Sequence, residues 1–228
     1  STVDQAPLIN SALGITIRGA GLSRASGGMR GFWQKFASHY RQIGGKLWVG
    51  CRVGKIAGSN GRFLIDTRRG IIQARQVVSA IPVELTTSLT RPAISRRLKR
   101  YLTRDVQARG GAVVVCLGVP EEEVAGQEFT HHQLMQDTSA PLGNGNNMFI
   151  SVSAARDLES APAGFRSVMI STHCDLQEWQ ELDAEAYHAK KTALGKRLVE
   201  FARCVYPNLA TRPLVEEVGT PQTFERFT

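Results

Sequence analysis

The sequence predicts an α+β fold, and three observations carry that prediction. The apolar run Ala112-Val113-Val114-Val115-Cys116-Leu117-Gly118-Val119 has the length and composition of a buried strand. Two segments instead repeat apolar side chains at helical spacing, one from Met29 to Ile43 and one from Tyr187 to Val205. Short alternating stretches bounded by Gly, Asn and Pro complete the pattern of hairpins and strands.

Residues 1–25 hold Gly14, Gly19 and Gly21 with scattered Ser, and are expected to form a connector. From Gly28 on, Met29, Phe32, Trp33, Phe36, Tyr40 and Ile43 share one helical face while Arg30, Lys35, Ser38 and Arg41 fall elsewhere. This amphipathic helix is expected to bury its apolar face, with Phe36 in the core, and to end at Gly44-Gly45. Leu47, Val49, Cys51 and Val53 alternate with Trp48, Gly50 and Arg52, which predicts a strand over 46–56. Ser59-Asn60-Gly61 and Arg68-Arg69-Gly70 turn the chain twice, leaving strands at 62–67 and 71–76. Residues 77–80 read as a short buried strand stopped by Pro82.

Beyond Pro82, 83–89 and 94–103 read as helices, 111–119 as a central strand, and 131–136, 148–152 and 167–174 as further strands. Residues 141–147 form a Gly/Asn turn. Asp183 is placed to cap a long helix ending near Tyr206, with Tyr187, Leu194, Leu198, Phe201 and Val205 on its buried side. Pro207 stops that helix, and 214–218 is a last strand. The expected sheet is mixed or antiparallel, with helices on one face.

With 228 residues, 42% of them hydrophobic and 21% charged, the chain is long and apolar enough to bury a core. No apolar run approaches the ~18 residues of a membrane span. The net charge of +8 raises anionic partners. The cluster Arg96, Arg97, Lys99, Arg100 and Arg104 lacks the interleaved aromatic residues of a nucleic-acid stacking platform, so no nucleic acid is expected. Peripheral contact with an anionic membrane is the functional reading of that cluster, with a solvated basic surface as the plain alternative. Cys51, Cys116, Cys174 and Cys204 are far apart and read as reduced core residues.

His131-His132 and His173-Cys174 match no closed zinc pattern, because alternation sends adjacent strand residues to opposite faces; no metal is expected. There is no G-x-S-x-G elbow for a hydrolase. Glu121-Glu122-Glu123 is expected in an exposed loop as solvated charge. Trp179, Phe224 and Phe227 are explained equally by core packing and by a greasy channel. No side chain stands out as a catalytic base.

The order Gly27-Gly28-Met29, helix, Gly44-Gly45, strand, hairpin and Val77-Val78-Ser79-Ala80-Ile81-Pro82 resembles the phytoene desaturase, carotene isomerase and retinol saturase branch of the FAD-dependent amine oxidase superfamily. Residues 219–228 resemble the family segment that leads to its C-terminal FAD-binding stretch. No G-x-G-x-x-G occurs, so the chain is read as an internal portion of a larger flavoprotein. The resemblance implies a connector at 1–25, a partial FAD domain with a β-hairpin layer at 26–82, a substrate domain at 83–218 and a return segment at 219–228. It further implies FAD contacts at Gly27, Gly28, Met29, Val53, Ala80 and Pro82, and substrate contacts at Thr220, Pro221 and Phe224. The implied substrate is a carotenoid or related long apolar isoprenoid, desaturated, saturated or isomerised on the cytoplasmic or stromal side of a membrane. A flavin amine oxidase or protoporphyrinogen oxidase-like enzyme, and a non-catalytic lipid-binding module, are the alternatives.

Overall fold

The computed structural model describes residues 25, 27–59, 61–90 and 110–227. The expected connector before Ala25, Asn60, and the expected helix at 94–103 with its basic cluster lie outside the described residues. The chain divides into two compact units at 36/37 and 109/110, the first combining both ends of the chain.

Helix α1 (Gly28–Gln42) follows the predicted periodicity and its caps explain its limits. Gly27 and Gly28 enter it with left-handed φ of 74° and 61°, which glycine adopts without steric cost. Gly44 leaves it at φ 89°; its amide donates to the Arg41 carbonyl (3.0 Å), and the Gly45 amide donates to that of Tyr40 (2.9 Å). These two bonds are the Schellman arrangement. The apolar face is not buried as expected: Gly31 is the helix's buried residue, while Phe36 is 57% exposed. Periodicity specifies a stripe, but a stripe is buried only where another surface meets it.

The second unit holds strands β1 (Val53–Ser59), β2 (Arg62–Thr67) and β3 (Gly70–Ala74), antiparallel in that order. Ser59 pairs with Arg62 and Thr67 with Gly70, so both two-residue turns stand where the sequence placed them. The strand expected over 46–56 begins instead at Val53. Residues 46–52 have no ladder partner, Gly50 bends the chain at φ 62°, and Trp48 lies against the Arg69 guanidinium, 5.5 Å from its ring centre. The buried strand expected at 77–80 is irregular, with Val78 fully in solvent; apolar side chains alone do not form a strand without a neighbour to pair. Ser79 and Thr86 join hydroxyls (2.7 Å) across the start of α2 (Val83–Leu89).

The first unit is built on a five-stranded antiparallel sheet of β4 (Gly110–Pro120), β5 (His131–Met135), β6 (Asn147–Val152), β7 (Phe165–Asp175) and β8 (Val215–Gly219), ordered β5-β6-β7-β4-β8. β4 and β7 pair along eleven residues, from Gly110 opposite Asp175 to Pro120 opposite Phe165. One sheet face is covered. Val113, Val115, Leu117, Met148, Ile150, Val168 and Ile170 point from it into a core closed by Leu194, Leu198 and Val199 of α4 (Ala184–Ala202). The Asp183 side chain accepts the Ala186 amide at 2.8 Å and caps α4 as the sequence predicts. Short α3 (Gln177–Gln180) sets Trp179 into the same core, and α5 (Pro221–Phe227) follows β8. The fold is α+β, with helices on one face of the larger sheet.

Glu121–Val124 is a 3-10 turn rather than an exposed acidic loop. Glu123 is buried and its Oε1 accepts the Thr211 hydroxyl (2.7 Å) and the Arg212 amide (2.8 Å), so it staples the turn after α4. Glu121 meets the nearly buried Arg166 at 3.0 Å, and Glu122 meets Arg212 at 2.7 Å. The spacing of three acids cannot reveal partners that lie about forty and ninety residues away.

Candidate functional site

The alternation that buries one face of the large sheet presents the other. Ala112, Val114, Cys116 and Gly118 of β4 stand beside Ser167, Met169 and Ser171 of β7, followed by Phe149 and Ser151 of β6. Among the described residues no helix covers this face: Met169 is 40% exposed and Val114, Phe149 and Ser171 are half-buried. Along β4, β6 and the stretch of β7 from Phe165 to Ser171, it carries no charged side chain. A depression of about 250 Å³ opens on it, lined by Ala112, Gln133, Phe149, Ser171 and His173.

Polar groups at the rim are held in place by neighbours. His131 joins Ser151 Oγ through Nε2 (3.1 Å) and Thr130 Oγ1 through Nδ1 (3.0 Å), with its ring 5.9 Å from that of Phe149. Its neighbour His132 points to the covered face, where Nε2 meets the buried Tyr206 hydroxyl at 2.9 Å. Burial pushes the Tyr206 phenol above its ordinary range. The Cys116 thiol is likewise raised, first by the atoms crowding it, though part of the residue is exposed, and then by the Glu217 carboxylate. It therefore stays protonated and is a poor nucleophile at neutral pH. The loop before β6 is held on the covered side, where the Gly145 amide donates to Thr172 Oγ1 (3.0 Å) and Gly145 lies beside Leu194 and Arg197 of α4. Asn146 donates to the carbonyls of Asp137 and Pro141, Asn147 accepts the Gly143 amide at 2.7 Å, and Thr172 donates to the Asn147 carbonyl at 2.6 Å.

The residues singled out by resemblance fall in both units. In the first, the Gly27 amide lies 3.4 Å from Asp157 Oδ1, the Gly28 amide donates to the Ala25 carbonyl (2.9 Å), and Met29 is exposed. A Cβ on Gly27 would run into the Glu159 carboxylate, whereas one on Gly28 would meet open space. Thr220 is fully buried and shares a 2.7 Å bond with the Tyr187 hydroxyl; Pro221 packs against Gly111, and Phe224 is 44% exposed. In the second unit, Val53 begins β1 beside a bulge, and Ala80 and Pro82 lie exposed before α2. Sequence reasoning did not single out Phe149, Ser151 or Met169. The alternation in β6 and β7 was the available signal, since it marks the second face as clearly as the first. Trp179 proves to be core, stacked edge-on against Tyr187 at 5.9 Å.

The inner strands thus present a half-apolar face with hydroxyls at its rim. Over 116 residues the chain is 28% identical to the chloroplastic prolycopene isomerase of Arabidopsis thaliana, covering 49% of the chain and 19% of that protein. It is similar to prolycopene isomerases. A chloroplastic prolycopene isomerase of an Oncidium hybrid cultivar aligns with 97% of the chain at 21% identity, and with 39% of its own length. The chain thus spans about a fifth to two fifths of the curated relatives it matches. Its fold is shared with a solved oxidoreductase from Methanosarcina mazei (TM-score 0.60, 20% identity, 86% of this chain and 43% of that one). It is also shared with a redesigned putrescine oxidase (TM-score 0.54, 15% identity, 85% and 38%). No family model matches the chain.

Proposed function

We propose that the chain is the substrate-facing portion of an FAD-dependent oxidoreductase that acts on a carotenoid or related long apolar isoprenoid. The observation that carries this reading is the open face of the five-stranded sheet, where β4, β6 and β7 from Phe165 to Ser171 offer Val114, Cys116, Phe149, Met169, Ser151 and Ser171 and no charge. A polyene gains from leaving water for such a wall at roughly 25 cal/mol per Å². An amine arrives as a cation and needs a carboxylate or a cage of aromatic rings. On this face the inner strands carry two phenyl rings set apart, Phe149 opposite Ser171 and Phe165 opposite Pro120 at the far end of the sheet, and the acid beside Cys116 in register, Glu217, belongs to edge strand β8. The likeness to prolycopene isomerases supports the same substrate class.

FAD, when bound, would supply the electron exchange that changes the polyene. Val53, at a strand bulge, and Ala80 and Pro82, exposed and without a ladder, have the open backbone that contact with the adenine end requires. Gly27 and Gly28 fit less directly, because their amides are engaged by Asp157 and Ala25; their role toward the group is through Met29 and the helix entry they shape. The sheet residues orient the chain of the substrate and keep water from it. His131 and Ser151 form a hydrogen-bonded pair at the rim.

Titration with a long polyene in dilute detergent, followed by its visible absorption, tests the assignment. A red-shifted, saturable spectrum that a diamine does not displace is expected. Saturable binding of the diamine with no spectral change of the polyene would overturn it in favour of amine oxidation.

A further inference from the structure

We infer that the depression on the open face of the large sheet seats an oxygen-bearing end group of the isoprenoid, a hydroxyl or a ketone, and so selects oxygenated over purely hydrocarbon substrates. The inference rests on the isoprenoid reading of that face and adds which end group it takes. Register assembles the place. Gln133 of β5 stands opposite Phe149 of β6, which stands opposite Ser171 of β7. His173, two residues further along β7, lies opposite Ala112 of β4. Alternation puts these five side chains on the same face. Phe149 and Ala112 are apolar walls of the depression of about 250 Å³, and Gln133, Ser171 and His173 bring polar groups to it.

Polar side chains nearby are occupied with the fold: Asn147 accepts the Gly143 amide at 2.7 Å, and Ser151 is joined to His131 at 3.1 Å. The three in the depression are not. Among the described residues, the Gln133 amide, the Ser171 hydroxyl and the His173 ring have no hydrogen-bond partner. Water serves them while the face is open, but a hydrocarbon laid over them would strand donors and acceptors that a hydroxyl or carbonyl oxygen would engage. Each of the three can donate and accept, the neutral imidazole through its two nitrogens, which suits a neutral oxygen. A carboxylate end would call for arginine or lysine, and the lining holds neither. Size agrees. The volume is below the ~300–1,000 Å³ that encloses a whole drug-sized ligand, so one end of a long molecule enters while the rest lies outside. From Ser171 through Met169 and Ser167 to Phe165 the open face runs on without a charged side chain, for about 20 Å at ~3.4 Å per residue.

Titration of the 228-residue chain with two polyenes of equal length, one with hydroxylated end rings and one with the same rings unsubstituted, tests it by visible absorption in dilute detergent. The ratio of the two affinities is compared between the parent and Gln133→Leu with Ser171→Ala, changes at an exposed and a half-buried position. Taken this way, the ligands' different partition into detergent cancels. The ratio is expected to favour the hydroxylated polyene about tenfold or more in the parent over the variant, the order of an unmatched polar group, at an unchanged melting temperature. His173→Leu, a single change at an exposed position, should lower the ratio in the same direction. An equal ratio in parent and variants overturns the inference and leaves the isoprenoid reading standing. Binding of neither polyene to the parent overturns both. Affinities that fall alike for the two polyenes in the variants would mean lost packing, not selection, and also overturn it.

Discussion

Side chains that look alike in the sequence separate sharply by what surrounds them. Phe36 and Leu198 both occupy the apolar stripe of a helix, yet Phe36 is 57% exposed while Leu198 is fully buried among the sheet's core. Leu198→Ala should cost about 2–5 kcal/mol of stability from lost burial and the cavity left behind. Phe36→Ala should stay within about 0.5 kcal/mol of the parent, as a surface change does. Thermal melts of the two variants check this. Glu178 offers a pH test. Its bond to Lys190 Nζ (2.9 Å), and to a lesser degree its contact with Asn144, hold the carboxyl below its ordinary value against the opposing effect of burial. A depressed folded pKa stabilises above the unfolded value and loses that contribution as pH falls through the folded one. The melting-temperature gap between the parent and Glu178→Gln should therefore be present at neutral pH and close on acidification below about 4.5, the ordinary value.

At the scale of elements, close packing is set by small residues. Gly195 sits mid-helix in α4, where alanine would normally add about 1 kcal/mol, but a Cβ there would lie 2.8 Å from Val218 Cγ2 of β8. Gly195→Ala should gain nothing alone, whereas in a Val218→Ala background the helix-propensity gain should reappear. A double-mutant cycle by chemical denaturation reads that coupling. The same logic explains which elements were legible in the sequence. α4 could be read whole because Asp183, its periodicity and its core partners all agree. β4 could be read from its apolar run and β7 from the alternation of buried Val168, Ile170 and Cys174 with Ser167, Met169 and His173. Residues 46–52 and 77–80 carry apolar patterns of equal quality, but a strand needs a neighbour, and pairing is information the local sequence does not hold. The glycine turns at Gly44 and Gly61 were legible because only a left-handed residue closes them. The wall on which the proposed function rests was not singled out in the sequence, where the family resemblance drew notice to Gly27, Gly28, Thr220 and Pro221. Of these, Gly27, Gly28 and Thr220 spend their bonds on structure, and Pro221 packs against Gly111. The wall itself is made by ordinary alternation in β4, β6 and β7.

For the molecule as a whole, the two units differ in what holds them. The sheet of the first unit has one face sealed by α3 and α4 and the other unoccupied by any described helix. In the second unit, Ile56 is the one buried hydrophobic residue among those described, so its hairpin sheet has little core of its own. Such a sheet should open first in native-state hydrogen exchange, with β1 to β3 losing protection before β4 and β7 do. A fold shared with oxidoreductases does not itself set a substrate, so the proposed reading rests its choice of substrate on the side chains of the open plane. The most direct test of that choice is photolabelling with a long polyene that carries a diazirine, followed by mapping of the labelled peptides. Label on residues 112–118, 147–151 and 167–171, reduced by Met169→Asp without a change in melting temperature, is the result predicted. Label confined to α4 or to the three-stranded hairpin sheet, indifferent to Met169→Asp, would contradict it.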